Sequence, residues 1–265
     1  MIPTAQSTGR GDVARVDAYP YRRGMLEEMI TPAEIEQDRS PDDFISWFEG
    51  FLESTRADRS NRNQILLRQG IAKPLYEEVF PLYRLLTHKR VEWRERLFRN
   101  VLGNQPYDAV MTVPRSCSST HLEITVADVD QAEAVRMEAF VARGRVPAVA
   151  PVTWTGTKQT GRAIEISEDM VLHDDVVRKK RDQIISAVER KSRRASSGNT
   201  ALLVYFDDYT AFADQGDLPA MREALSTVRP AWQSKFTGLY VVGASGERFW
   251  EEQAPESPRL NSEMQ

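Results

Sequence analysis

Apolar residues repeat with a helical period up to about residue 99 and with a period of two over 107–127. A chain that changes period in this way has to lay helices against a sheet. In the helical stretch, Ser40-Pro41-Asp42-Asp43 reads as a capped start, and Phe44, Ile45, Trp47, Phe48, Phe51 and Leu52 form one apolar face. A polar connector, TRADRSNRN, precedes a second helical stretch over 65–99, broken at Gly70 and Pro74 and kinked at Pro81. The segment NVLGNQP at 100–106 is a stop and turn.

Beyond the switch, residues 107–113 and 121–127 read as strands, 130–144 as a helix and 148–166 as a hairpin. A long helix over 174–193, a buried-type strand over 201–206 and a helix over 217–228 follow, and the sequence ends on two strands around Gly243-Ala-Ser-Gly246. Residues 1–24 and 253–265 have the composition of disordered segments. The expected organisation is therefore a helical extension over 25–64 and an α/β domain over 65–252.

With 41% hydrophobic residues in a 265-residue chain, there is enough apolar side chain for a sizeable core. The single cysteine, Cys117, cannot form an internal disulfide, which suits a reducing cytoplasm. No signal-like start or apolar run of membrane-spanning length is present, so the expectation is a cytoplasmic protein away from membranes. The net charge of −4 conceals strong local imbalance. Residues 26–60 hold ten acids against three arginines, a surface suited to a basic protein partner. Residues 178–194 hold eight basic residues against two acids, and 84–99 six against two. Such runs point to nucleic acid, DNA or RNA, with Lys180, Arg181, Arg193 and Arg194 as phosphate contacts.

The two strands after the switch carry acids. Asp108, Val110 and Thr112 share one face of the first; His121, Glu123 and Thr125 share one face of the second, opposite Leu122, Ile124 and Val126. Paired around the 114–120 connection, Asp108 and Glu123 converge on one side of the sheet. Two such carboxylates are hard oxygen ligands suited to Mg²⁺. On the preceding helix, Glu78 lies on the stripe made by Leu75, Val79, Leu82 and Leu86, so it needs a metal or a partner such as an arginine from 90–99.

In these residues the chain resembles the PD-(D/E)XK nuclease superfamily over roughly residues 70–206. The resemblance implies a restriction-endonuclease-like α-β-β-β-α-β core, a mixed sheet flanked by helices, with Glu78 in the helix position, Asp108 in the aspartate position and Glu123 in the glutamate position. It also implies Mg²⁺ or Mn²⁺ bound by these three acids. Thr125 stands where the family has its lysine. Some members supply that charge from a neighbouring helix, and here Val177, Ile184 and Val188 mark an inward face along which Lys191 falls, with Lys180 as the second choice. Gln183 points in a similar direction and is suited to orienting a water or a phosphate. Each lysine equally fits a solvated side chain on an amphipathic helix. The expected function is metal-dependent hydrolysis of nucleic acid, with Asp108, Glu123, Lys191 and Gln183 as the catalytic set. The alternative is an inactive nuclease-like fold that binds nucleic acid or protein.

Overall fold

A computed structural model describes residues 14–15, 25–128, 131–147, 149–157, 161–167, 171–194, 198–212 and 217–255. Most of the expected disordered ends, 1–24 and 253–265, therefore lies outside the described residues; within them, Ala14–Arg15 form a short strand, β1, and 253–255 are ordered. Two compact units divide the chain, the smaller from described residues within 1–23 and 129–172, the larger from those within 24–128 and 173–265.

The larger unit begins with helices whose starts are written in side-chain chemistry. After α1 (Met25–Met29), Thr31 opens α2 (Pro32–Ile35) with a reciprocal capping box to Glu34. Ser40 caps α3 (Pro41–Ala57) by accepting from the Asp43 N–H. The polar stretch 55–63 is no connector: Asp58 accepts from the N–H groups of Ser60 and Asn61 at 2.6 and 3.0 Å and so starts α4 (Arg59–Leu66). Its polar residues continue the helical run rather than marking a loop, with Asn61 and Gln64 buried.

The helical run from α5 (Ala72–Pro74) to α6 (Phe80–Lys89) is joined by a π-helical turn, Leu75–Val79, in which the Phe80 N–H reaches back to the Leu75 carbonyl. Pro81 has no N–H for the Glu77 carbonyl four residues back, and the wider turn falls just ahead of it. The stop expected at 100 arrives early, because β2 (Leu97–Asn100) is already a strand with Phe98 and Asn100 inward.

The sheet follows with β3 (Ala109–Val113) and β4 (Ser118–Val126). The chain then passes into the smaller unit: α7 (Gln131–Arg143), β5 (Val152–Thr157) and β6 (Gly161–Ile166). There, β1, β6 and β5 form an antiparallel sheet, and Val135 and Ala139 of α7 pack with Val152 and Ile164. The chain returns through α8 (His173–Ser192), β7 (Thr200–Phe206), α9 (Asp217–Thr227), α10 (Arg229–Gln233), β8 (Gly238–Gly243) and β9 (Phe249–Gln253).

The six strands of the larger unit lie in the order β2-β3-β4-β7-β8-β9. The inner pairs β4–β7 and β7–β8 are parallel and the outer pairs antiparallel. A parallel pair needs a long crossover, and helices α8, α9 and α10 supply it. Both faces of the sheet are covered, so β7 is buried along its whole length. Ala109, Met111, Leu122, Ile124, Val126, Leu203 and Tyr205 pack against the N-terminal helices. Leu202, Val204, Phe206, Leu239 and Val241 pack against α8, α9 and α10. The residues expected to form a helical extension, 25–64, belong to the first of these cores rather than standing apart. Among the described residues, no helix is long and apolar enough to cross a membrane.

A candidate carboxylate–lysine site

Leu122, Ile124 and Val126 turn toward the N-terminal helices, which sends Glu123 and Thr125 to the opposite face of β4, under α8. Both are buried. A buried carboxylate needs a partner, and Lys191 provides it: its Nζ lies 2.9 Å from Glu123 Oε1. One residue earlier on α8, the Arg190 guanidinium donates to Thr125 Oγ1 at 3.0 Å.

Asp108 sits just ahead of β3. Ala109 is opposite Leu122, so the next pair along the ladder sets Asp108 against Glu123. Asp108 leaves the regular ladder there. Its N–H goes to the Leu122 carbonyl at 2.8 Å, while its Oδ2 accepts from the Ile124 N–H at 2.6 Å. A side-chain oxygen thus takes the place of a strand carbonyl. Burial raises the Asp108 carboxyl above the usual carboxylate range; the Ile124 N–H and Lys191 pull it back, and the Glu123 and Glu77 charges push it up.

Glu78 is half-buried in the π-helical turn, and its Oε2 is buried without a hydrogen-bond partner among the described residues. Its carboxyl is pushed up to about 8, first by burial and then by Asp108 and Glu77, against Lys73 and Lys191. Four acids, Glu77, Glu78, Asp108 and Glu123, and the ammonium groups of Lys191 and Lys73 therefore form one electrostatic group. Among the described residues, no group of three or more His, Cys, Asp or Glu side chains stands ready to hold a metal ion. The carboxylate oxygens here, one of them buried and unpartnered, are of the kind a hard cation takes, and the proton affinity of Glu78 and Asp108 is raised first by burial and then by neighbouring acids.

Comparison with family models, curated proteins and solved structures matches this chain to none of them. The reading of the site rests on its own geometry.

Lys180 goes elsewhere. Its Nζ lies 3.0 Å from Asp128 and 3.6 Å from Asp207, at the carboxyl ends of β4 and β7. Asp128 is buried, and Asp207 donates its backbone N–H to the Asp128 carboxylate. Burial raises the Asp128 carboxyl, and Lys180 opposes that. Sequence reasoning passed over this group, although an acid directly after each of two apolar strands was its signal. Gln183 is half-buried on α8 between the two lysines. Arg181 faces Asp182 at 3.4 Å, Arg193 faces Glu189 at 3.3 Å, and both Arg193 and Arg194 are exposed.

The other charge runs are largely matched internally. In 84–99, Lys89 pairs with Glu92 and Glu251, Arg90 with Asp42, and Arg99 with Asp38. Arg84 and Arg96 lie over aromatic rings. In 26–60, Glu34 and Asp58 accept from backbone N–H groups at helix starts, Asp43 accepts from the Ser40 hydroxyl, and Glu36 accepts from the Leu102 N–H at 2.8 Å. His121, on the Glu123 face of β4, stacks on Tyr107 with ring centroids 3.9 Å apart.

Proposed function

We propose that this chain hydrolyses phosphodiester bonds in nucleic acid with the help of Mg²⁺ or Mn²⁺, through a restriction-endonuclease-like core. The observation that carries the proposal is the 2.9 Å contact between Lys191 and Glu123, which brings a lysine from α8 to the strand whose own lysine position is Thr125. The order of elements supports it. Helix α6 with its π-helical turn, strands β2, β3 and β4, helix α8 and strand β7 follow an α-β-β-β-α-β succession, interrupted between β4 and α8 by the smaller unit.

In this reading Glu78, Asp108 and Glu123 would hold the metal, which would supply Lewis acidity and an acidified water. The protein's own groups do the rest. Asp108 is fixed by the Ile124 N–H, so its remaining oxygen keeps a set direction. Lys191 balances Glu123 and offers a positive charge to the developing charge on phosphate or to a water. Burial beneath α8 limits access of bulk water to these groups.

The test is incubation of the purified chain with single- and double-stranded DNA and RNA in Mg²⁺ or Mn²⁺, beside Asp108→Asn and Glu123→Gln. Cleavage abolished by either substitution and by chelation is the expected result. Cleavage that persists in both variants, or none by the unaltered chain, removes the proposal. The second reading, a nuclease-like fold that binds without cutting, is favoured by Thr125 in the position where a lysine is expected, and by the lack, among the described residues, of three acids gathered to hold a metal. Binding without cleavage would establish it.

A further inference from the structure

Of the eight basic residues at 178–194, most have an acidic neighbour. Arg178 pairs with Asp175, Lys180 with Asp128 and Asp207, Arg181 with Asp182, Lys191 with Glu123 and Arg193 with Glu189. Arg190 differs. Its partner is the neutral hydroxyl of Thr125, and no carboxylate among the described residues forms an ion pair with it. The residue is exposed, whereas Thr125 is buried. One nitrogen of the guanidinium is thus anchored to the sheet, two residues along β4 from Glu123, and its charge has no ion-pair partner among the described residues.

We infer that Arg190, steered by the Thr125 hydroxyl, is the phosphate-binding cation of this site. The inference rests on the proposed nuclease reading for the identity of the phosphate. A hydroxyl anchor fixes the direction of the guanidinium without neutralising it, which a carboxylate anchor would do. The planar fork keeps further N–H donors for two oxygens of one phosphate. Lys191 is paired with a carboxylate at 2.9 Å, so its charge is partly spent, and the two cations divide the work. Lys191 serves the acid cluster and Arg190 receives the substrate. On this account the threonine in the lysine position is a mount for an arginine. Arg190 touches substrate, and Thr125 is a positioning residue.

The experiment measures binding of a fluorescein-labelled single-stranded oligonucleotide across a salt series in Ca²⁺, together with Mn²⁺-dependent cleavage and thermal melting. The proteins are wild type, Arg190→Gln, Arg190→Lys, Thr125→Val, Thr125→Ser and the Arg190→Gln/Thr125→Val double variant. Arg190→Gln should weaken binding and lower the log–log salt slope by roughly 0.7–0.9, as when one phosphate fewer is neutralised. Arg190→Lys should restore the slope but not the cleavage rate. Thr125→Ser should match wild type, while Thr125→Val should weaken binding and add nothing in the Arg190→Gln background. Independent, additive effects of the two substitutions, or an unchanged slope in Arg190→Gln, overturn the inference while leaving the nuclease reading standing. A wild-type chain that binds oligonucleotide without cutting it, yet shows the same Arg190 and Thr125 coupling, sustains the inference and removes the nuclease reading. No binding by wild type removes both.

Discussion

Lys191 and Glu123, 68 positions apart in the sequence, meet at 2.9 Å with side chains only 15% and 9% exposed. A pair this well shielded is worth little relative to an apolar pair of the same size, but breaking it leaves a lone buried charge. Lys191→Met should therefore destabilise the protein by about 3 kcal/mol. Glu123→Met should cost less, because a lysine stem can carry its ammonium to water. The double variant should return to within about 1 kcal/mol of wild type. Urea unfolding of the four proteins measures this, and additive losses would mean that the pair is not coupled.

The Glu78 carboxyl gives a pH signature. With its folded value pushed up to about 8 from an ordinary 4.5, the folded state holds a proton that the unfolded state has released. The stability this proton brings is complete below the ordinary value and is lost as pH rises through the folded one. Wild type should thus lose stability relative to Glu78→Gln between about pH 4.5 and pH 8. Melting temperatures across that window test it, and a constant difference would refute the protonated state. Mn²⁺ should raise the wild-type melting temperature most at the alkaline end, where the cation need not displace the proton.

Arg193 and Arg194 offer exposed charge, whereas Lys180 is 12% exposed and tied to Asp128. Charge reversal at both arginines should weaken nucleic-acid binding alike for all sequences. It should also flatten the salt dependence by roughly 0.7–0.9 for each phosphate that is no longer neutralised. Lys180→Met should instead cost about 3 kcal/mol of stability, because it strands the buried Asp128. Fluorescence anisotropy and urea unfolding separate the two effects. A Lys180→Met protein of wild-type stability with weakened binding would reverse the assignment.

What the sequence revealed depended on how local its signal was. Glu123 and Thr125 alternate with Leu122, Ile124 and Val126, so period two alone assigned their faces. Lys191 follows Val188 and Ile184 at helical spacing, and both are fully buried on α8. Signals that depend on tertiary structure stayed hidden. Strand β2 is short, with Arg96 just before it and Arg99 within it, so it reads as the end of a basic helix, and only its pairing with β3 and the Arg39 bridge make it a strand. Arg190 is next to Lys191, and adjacent helical positions do not share a face. Its long side chain reaches Thr125 from the flank of the helix.

The role of Lys191 in cleavage is the most demanding test of the site. Its ammonium is held by Glu123 on the face of β4 that Asp108 adjoins, and both Glu78 and Asp108 feel its charge. A cation in that position acts on the acids before the substrate arrives and on the phosphate afterward. Removing a charge partner used in the transition state costs on the order of 10²–10³ in rate. Lys191→Ala should lower single-turnover cleavage by that factor while leaving oligonucleotide affinity within about threefold, since Arg190 remains to hold the phosphate. Thr125→Lys in the Lys191→Ala background restores an ammonium two residues from Glu123 on the same face, and it also removes the hydroxyl on which Arg190 rests. Cleavage should therefore recover only in part, with weakened binding. Wild-type cleavage by Lys191→Ala would leave the contact with Glu123 a matter of stability alone.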